Sequence, residues 1–202
     1  MSVVTTLRQE NPEKRGAVLV PLRASTPPNL IFVERAQHLR RHPGQIAFPG
    51  GIEEPIDGGD PVATALREIT EELGVEPQRV HVVGQLPEVE QLSSRFRITP
   101  IVGILDNDTS LVPDGEEIAG ILSVPFASVL APGAICEDAD FSGAHSRPMY
   151  SLDFDGRHIW GFTARILKSL VDAWNAPQSS LRAAIEPALA RTQGIGLSRQ
   201  PP

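Results

Sequence analysis

The chain of 202 residues is poor in cysteine, in aromatic residues and in long apolar runs. Cys136 is the only cysteine, which excludes an intramolecular disulfide framework and a cysteine zinc cluster. No run of about 18 apolar residues occurs, and the first residues, MSVVTTLRQENPEKRG, lack the apolar segment of a signal peptide. We therefore expect neither a membrane span nor secretion, and the cytoplasm is the predicted location.

Positive charge is also scarce, with 18 Lys and Arg against 25 Asp and Glu and a formal net charge of −7. A general nucleic-acid binder needs a basic surface to neutralise phosphates, so no nucleic-acid partner is expected. The five histidines are scattered without an HExxH arrangement, and no Gly-x-Ser-x-Gly pattern marks a serine nucleophile. Cys136 is predicted to be a packing residue or a bystander in any chemistry.

Short apolar runs bounded by Pro and Gly predict strands, and apolar residues at helical spacing predict helices. The predicted strands are 17–22, 30–35, 45–48, 80–86, 98–105 and 149–154. The predicted helices are 61–73, 125–131 and 162–174, with a further helix from Ser180. This mixture predicts an α/β or α+β fold. We expect one domain over 1–175 and an extension over 176–202 that is partly helical and then frayed.

The helix over 61–73 has well-marked ends, because Asp60 suits the N-cap, Pro61 the first helical position and Gly74 the C′ position. Its apolar residues follow helical spacing and form a predicted buried stripe: Val62, Ala65, Leu66, Ile69 and Leu73. Packing of this stripe is expected to fix the rotation of the helix, and with it the direction of the polar side chains.

Three glutamates then share one side of the helix, because Glu68 and Glu72 are four residues apart and Glu71 is three residues from Glu68. Each like-charge pair costs an isolated helix roughly 0.2–0.5 kcal/mol, so a cation is expected beside them. Mg²⁺ favours carboxylate oxygens and keeps waters and substrate phosphates as its other ligands. The alternative is a solvated acidic surface. Arg67 can reach Glu71, four residues on.

Gly50 and Gly51 follow a predicted apolar strand and allow a close backbone approach, at which the Gly50 carbonyl can complete a metal shell. The alternative for this pair is a plain turn. Together with the acidic helix, the glycines favour metal-assisted phosphate chemistry.

Residues 51–75 resemble the Nudix box, which runs Gly, five residues, Glu, seven residues, then Arg-Glu-apolar-x-Glu-Glu-x-Gly-apolar. REITEELGV, residues 67–75, matches the second half completely. The first half carries two extra residues in EEPIDGGDP. Counting from Gly51 puts Asp57 at the position of the first Glu, whereas counting back from Arg67 puts Gly59 there. Asp57 is the preferred assignment.

The resemblance implies a Nudix α/β/α sandwich, in which a mixed sheet lies between helices and the box forms a loop-helix-loop. It also implies a hydrolase that depends on Mg²⁺ or Mn²⁺. Glu68 and Glu72 are the implied metal ligands, with Glu71 assisting and the Gly50 carbonyl filling a further ligand position. Arg67 is expected to orient the carboxylates. Glu116 or Glu117 is a candidate general base, the alternative for either being a solvated surface residue.

The upstream stretch IFVERAQHLRRHPGQIAFPGG resembles a second signature, that of the coenzyme A pyrophosphatase branch of Nudix hydrolases. The residues in register are Arg35, Ala36, Arg40, Gly44, Phe48, Pro49, Gly50 and Gly51. Residues 31–33, IFV, depart from the Leu-Leu-Thr of that signature. Arg35, Arg40 and Arg41 form a cationic patch that suits phosphate oxygens, the alternative being pairs with surface carboxylates.

The function implied by both resemblances is hydrolysis of the coenzyme A diphosphate to 3′,5′-ADP and 4′-phosphopantetheine. Arg35, Arg40, Arg41, Gly50 and Gly51 are the implied substrate-binding residues. Two alternatives stay open: a Nudix hydrolase for another nucleoside diphosphate derivative, such as ADP-ribose or a dinucleotide, and a non-catalytic nucleotide sensor on the same scaffold. Apolar residues of 126–130 or of the last helices are candidates for a homodimer interface.

Overall fold

The computed structural model describes residues 14–91, 96–138 and 148–195, and all structural statements concern these ranges. The strands within them are β1 (Lys14–Arg23), β2 (Asn29–Arg35), β3 (Ile46–Ala47), β4 (Gly50–Ile52), β5 (Val80–Gln85), β6 (Val89–Gln91), β7 (Phe96–Leu105), β8 (Ile118–Pro125), β9 (Cys136–Asp138), β10 (Met149–Phe154) and β11 (Arg157–Trp160). The α-helices are α1 (Pro61–Leu73), α2 (Phe126–Leu130), α3 (Gly161–Asn175) and α4 (Ser180–Ile195).

The main sheet has eight strands and mixes parallel and antiparallel pairs. Its central path runs β3-β2-β1-β7-β5, while β4 also pairs with β1, β6 with β7 and β8 with β2. Strands β1 and β7 are parallel over their whole length, from Lys14 opposite Phe96 to Arg23 opposite Leu105. A smaller antiparallel sheet has the order β11-β10-β9.

The sheet is covered on both faces, which explains why β1 and β7 are apolar almost throughout. On one face α1 packs over a buried cluster that includes Leu19, Ile31, Ile69, Leu73 and Ile101. On the other face lies a larger cluster that includes Val20, Phe32, Ile159, Leu167 and Ile185. The α/β/α sandwich is therefore confirmed.

Helix α1 has the predicted bounds. The Asp60 side chain accepts a hydrogen bond from the Val62 amide at 2.9 Å, and Gly74 ends the helix with φ of 65°. Within the predicted stripe, Ala65, Ile69 and Leu73 are fully buried, and the other two members are partly buried. The stripe packs on the sheet, so the glutamates lie at its edge.

The predicted strand 149–154 has the observed bounds of β10, and the remaining predicted elements are present with one or both ends shifted, apart from the start of α4. Five strands were missed: β4, β6, β8, β9 and β11. The predicted strand 45–48 is wrong at both ends, because β3 covers only Ile46–Ala47. Phe48 instead stacks on Phe32, with 4.7 Å between ring centroids, and the Pro49 carbonyl accepts a hydrogen bond from the Leu19 amide. Cys136 is exposed in β9.

Helix α4 begins at Ser180 as predicted and packs into the larger cluster through Ile185, Ala188 and Leu189. Ser179 caps it: its hydroxyl oxygen accepts from the Arg182 amide at 3.0 Å and donates to the Ala173 carbonyl at 2.6 Å. Among the described residues, no helix combines the length and the apolar character that crossing a membrane requires.

Because Ile185 is fully buried between α4 and the sheet, Ile185→Ala is expected to lower the free energy of unfolding by about 3 kcal/mol. The matched control is the neighbouring exposed residue, Glu186→Ala, which should change it by less than about 0.5 kcal/mol. Urea unfolding of both variants measures this difference. Equal stability of the two variants would show that α4 does not contribute to the core.

Candidate active site

Arg67, in the middle of α1, joins the helix to the loop that precedes it. Its Nε lies 3.0 Å from Asp57 Oδ1 and its Nη2 lies 3.1 Å from Asp57 Oδ2, a bidentate pair. Nη2 also donates to the Ile52 carbonyl at 3.0 Å. Nη1 lies 2.9 Å from Glu68 Oε1 and 2.9 Å from Glu71 Oε2. One guanidinium therefore contacts the end of β4, the following turn and two of the three glutamates.

Asp57 is buried, and every contact it makes favours its charged form. Besides Arg67, its Oδ2 accepts hydrogen bonds from the Glu54 amide at 2.8 Å and from the Thr64 hydroxyl at 3.0 Å. The Arg67 hydrogen bond lowers the pKa of Asp57 to about 2, although burial acts in the opposite direction. Sequence reasoning missed Thr64, which lies fully buried on α1.

A turn of two glycines accommodates the extra length of this loop. Gly58 and Gly59 have φ of 63° and 81°, a backbone conformation that L side chains rarely adopt. The turn is closed by the Asp60 amide, which donates to the Asp57 carbonyl at 3.1 Å. Asp57 consequently faces Arg67 while Asp60 caps α1, and Gly59 lies in the turn between them.

The three glutamates of α1 have different surroundings. Glu72 is buried, and its Oε2 accepts a hydrogen bond from the Gly50 amide at 3.2 Å. The Glu68 side chain is 14% exposed, whereas that of Glu71 is 60% exposed. We call Glu68 and Glu72 the inner pair, and Glu71 lies at the rim of the site. The metal-binding role of Glu71 stays a prediction.

The protein compensates only in part for the negative charge that the inner pair has when both carboxyl groups are ionised. Burial, and then the charge of Glu68, raises the pKa of Glu72 to about 8, while the Gly50 amide and Arg35 act against this rise. Burial also raises the pKa of Glu68, against the opposing effect of Arg67. Two neighbouring carboxylates that resist ionisation are the arrangement expected where an external cation is to bind.

Strand β4 lies so close to α1 that a side chain at Gly51 would collide with the Glu68 carboxylate. A side chain at Gly50 would collide with the backbone of β1 at Ala17 and Val18. The glycine pair is therefore a close backbone approach rather than a plain turn. Coordination of a metal by the Gly50 carbonyl stays a prediction.

Arg35, at the end of β2, adds a positive charge near the inner pair. Its charge acts to lower the pKa of Glu72, and its Nη2 lies 3.5 Å from Glu117 Oε2. Its Nε is buried and has no hydrogen-bond partner in the described part of the chain. Asp114 fixes the adjoining backbone by accepting hydrogen bonds from the amides of Glu117 and Ile118 at 3.1 and 2.8 Å.

Arg40 and Arg41 lie exposed in the loop between β2 and β3. The Gly44 amide closes this loop by donating to the Arg35 carbonyl at 3.1 Å. Across the described ranges, neither Arg40 nor Arg41 forms an ion pair or a side-chain hydrogen bond. No contact joins them to the glutamates of α1, and their binding of substrate phosphates stays a prediction.

The carboxylates of α1 are the candidate ligands for a divalent cation. Over residues 14–91, 96–138 and 148–195, no three Asp, Glu, His or Cys side chains converge into a ready-formed metal centre. The partly compensated pair Glu68 and Glu72 nevertheless fits Mg²⁺ or Mn²⁺, since hard cations bind through one or two carboxylates and fill their shell with waters and substrate phosphates. These two residues would hold the ion.

The fold and site together define an α/β sandwich with an acidic, cation-attracting helix packed against a diglycine strand. Comparison with known proteins gives the family: residues 13–141, more than half of the chain, match the NUDIX domain model. The chain therefore belongs to the Nudix family.

Two bacterial relatives share most of their length with this chain. The protein named Uncharacterized Nudix hydrolase NudL from Yersinia enterocolitica is 36% identical over 160 residues, covering 79% of this chain and 81% of its own. Its namesake from Salmonella paratyphi B is 34% identical over 158 residues, with coverages of 78% and 81%. The crystal structure of a MutT/nudix family protein from Enterococcus faecalis has a TM-score of 0.55 at 14% identity, covering 95% of this chain and 77% of that one. That likeness is one of fold.

Asp57→Asn is expected to lower the free energy of unfolding by about 3 kcal/mol, because it leaves the Arg67 charge without its buried anionic partner. Asp60→Asn is the matched control, since Asn caps a helix about as well as Asp. Urea unfolding at neutral pH compares the two. A control variant as unstable as Asp57→Asn would contradict the role given to the Asp57–Arg67 pair.

Metal-free protein is expected to lose stability as the pH rises from 4.5 towards 8, because the folded state raises the pKa of Glu72 from 4.5 to about 8. A group whose pKa is higher in the folded state contributes its full stabilisation at pH values below its pKa in the unfolded chain. That contribution is lost as the pH rises through its pKa in the folded protein. Glu72→Gln should remove this loss and be more stable than wild type at pH 8 by on the order of 2 kcal/mol.

Unfolding in the presence of a chelator, at pH 5 and at pH 8, measures this effect. A Glu72→Gln variant with the same pH dependence as wild type would show that Glu72 does not carry an unfavourable buried charge.

Proposed function

We propose that this Nudix protein hydrolyses the diphosphate of coenzyme A, giving 3′,5′-ADP and 4′-phosphopantetheine, with Mg²⁺ or Mn²⁺ as cofactor. The observation that carries the reaction type is the partly compensated pair Glu68 and Glu72, with the Gly50 amide and the charge of Arg35 both acting on Glu72. The resemblance of residues 31–51 to the coenzyme A pyrophosphatase signature supports the choice of substrate.

A divalent ion bound at this site would supply Lewis-acid polarisation of a phosphoryl oxygen and would lower the pKa of a water molecule. Glu68 and Glu72 would hold the ion and Glu71 would assist from the rim, while Arg67 keeps Glu68 in place. The water oxygen forms a bond to one phosphorus, the bond from that phosphorus to the bridging oxygen breaks, and the other phosphate leaves with the bridging oxygen.

Arg35 is proposed to bind the diphosphate, because its Nε is a buried donor without a partner among the described residues. An arginine fork suits phosphate oxygens, and a donor that gains a partner only on substrate binding favours that binding. Arg40 and Arg41, in the exposed loop after β2, are proposed to bind phosphates of the substrate as well. The backbone at Gly50 and Gly51 gives the phosphates close access to the glutamates.

Glu117 is the proposed general base, and its position next to Arg35 supports this assignment over Glu116. Its Oε2 lies 3.5 Å from Arg35 Nη2, and its charge acts to raise the pKa of Glu72. A carboxylate near both the phosphate-binding arginine and the inner glutamates can accept the proton of the attacking water.

The test is to incubate the protein with coenzyme A and Mg²⁺ or Mn²⁺ and to separate the products by chromatography. We expect 3′,5′-ADP, with Glu68→Gln and Glu72→Gln each lowering turnover by at least about 100-fold through loss of metal. Glu76→Gln, which removes an exposed carboxylate just after α1, is the matched control and should keep wild-type turnover.

Cleavage of ADP-ribose or a dinucleotide without cleavage of coenzyme A would support the hydrolase activity but reject coenzyme A as the substrate. If none of these compounds is turned over in the presence of metal, the proposed enzymatic activity is rejected and a nucleotide sensor is favoured.

A further inference from the structure

Trp160, at the end of β11, is the one exposed aromatic side chain in the described part of the chain, at 47% exposure. The other aromatic rings there are buried or partly covered. Trp174, for example, packs edge-on against Phe126, with 4.9 Å between ring centroids. A tryptophan ring gains much from burial and is enriched where proteins contact other molecules. The uncovered ring of Trp160 is therefore a candidate for contact with a ligand.

The backbone at Trp160 is held on both sides. Trp160 lies opposite Ser151 in the antiparallel pair of β10 and β11, and Gly161, with φ of 65°, turns the chain straight into α3. Ile159, one residue earlier, is fully buried in the larger cluster, so Trp160 lies on the opposite face of the small sheet. Its neighbours across the strands are small: Ser151 and, on β9, Cys136. The ring is thus fixed in place and flanked by small side chains.

Contacts at both ends of β11 tie it to the main sheet at β2 and β3. At its start, Arg157 Nη1 lies 2.6 Å from Glu34 Oε2, and β11 also contacts β3. Just beyond its end, the buried Thr163 hydroxyl donates to the Ile46 carbonyl at 3.2 Å. Glu34 and Ile46 lie opposite each other in the pair of β2 and β3. Trp160 is consequently positioned between two contacts with the same strand pair.

This strand pair leads directly to the residues proposed to bind phosphates. Arg35 follows Glu34, and the exposed loop that carries Arg40 and Arg41 joins β2 to β3. The contacts along this path place the Cα atoms of Trp160 and Arg35 at most roughly 25 Å apart. An extended nucleoside diphosphate, together with an arginine and a tryptophan side chain, spans this distance. Phosphates bound at the arginines would thus leave the base of the same nucleotide within reach of the ring.

We propose that Trp160 stacks on the purine base of the nucleotide substrate and so determines specificity. This inference rests on the proposed function, because the adenine of coenzyme A is the base concerned. Stacking on an aromatic ring contributes to binding whatever the base, since every base has a π face. Trp160 therefore distinguishes nucleoside diphosphate derivatives from diphosphates that lack a base, rather than one purine from another. No bond is made or broken at this residue.

Tryptophan fluorescence tests this contact without turnover, because the chain has only two tryptophans. In Trp174→Phe, only Trp160 emits, and we expect saturable quenching by 3′,5′-ADP but not by ribose 5-phosphate, which lacks the base. Trp160→Phe, in which only Trp174 emits, is the matched control for absorption by the nucleotide and should show no saturable quenching. No quenching of Trp160 by 3′,5′-ADP, or equal quenching by ribose 5-phosphate, would overturn the stacking.

Kinetics with coenzyme A separate an aromatic role from an apolar one. Trp160→Leu, which keeps an apolar side chain but has no ring, is expected to raise KM about tenfold with little change in kcat, because substrate binding is weakened. Trp160→Phe keeps a ring and should stay within about threefold of wild type. An unchanged KM in Trp160→Leu would overturn the assignment. If sedimentation then showed a changed oligomeric state, the ring would belong to a contact between copies of the chain.

The proposed function and the role of Trp160 fail separately. If wild type cleaves no nucleoside diphosphate derivative but 3′,5′-ADP still quenches Trp160, the hydrolase is rejected and the stacking contact stands. If Trp160→Leu cleaves coenzyme A with the KM of wild type, only the role of Trp160 is lost.

Discussion

The contacts of the Arg67 guanidinium are the interaction on which the rest of the site depends. The guanidinium binds the Asp57 carboxylate, the Ile52 carbonyl, Glu68 and Glu71, all within about 3.1 Å or less. Ile52 ends β4, Asp57 lies in the loop that follows it, and the two glutamates lie on α1, so moving the helix against β4 would break the contacts of Arg67 with Ile52 and Asp57. The position of the inner glutamates against β4 follows from this anchor together with the packing of the apolar stripe on the sheet.

The same anchor explains how the protein tolerates a concentration of negative charge. Arg67 compensates Asp57, Glu68 and Glu71, whereas Glu72 is left with an amide and the more distant Arg35. Glu72 is therefore the glutamate with the least compensation, at a position that fits a divalent cation. In the metal-free protein, the buried Glu72 carboxylate lowers the stability of the fold when it is ionised. The buried contact between Asp57 and Arg67 offsets this effect.

Residues with a strong local preference were predictable from the sequence, and residues defined by distant contacts were not. Asp60, Pro61 and Gly74 mark the ends of α1 by their own chemistry, and the apolar stripe fixes its rotation. Strand β4 was missed because its two glycines carry no strand signal, and only pairing with β1 makes it a strand. Thr64 was missed because a buried hydroxyl on a helix gives no sign of a partner seven residues away.

Whether Glu68 and Glu72 form a divalent-metal site is measured by titration with Mn²⁺, in which binding removes the electron paramagnetic resonance signal of the free ion. We expect saturable binding that weakens as the pH falls below about 8, because the metal must displace the proton that burial keeps on Glu72. Glu72→Gln is expected to lose this binding while remaining folded. Saturable binding of equal strength in Glu72→Gln, or no binding in wild type, would show that these two glutamates do not form a metal site.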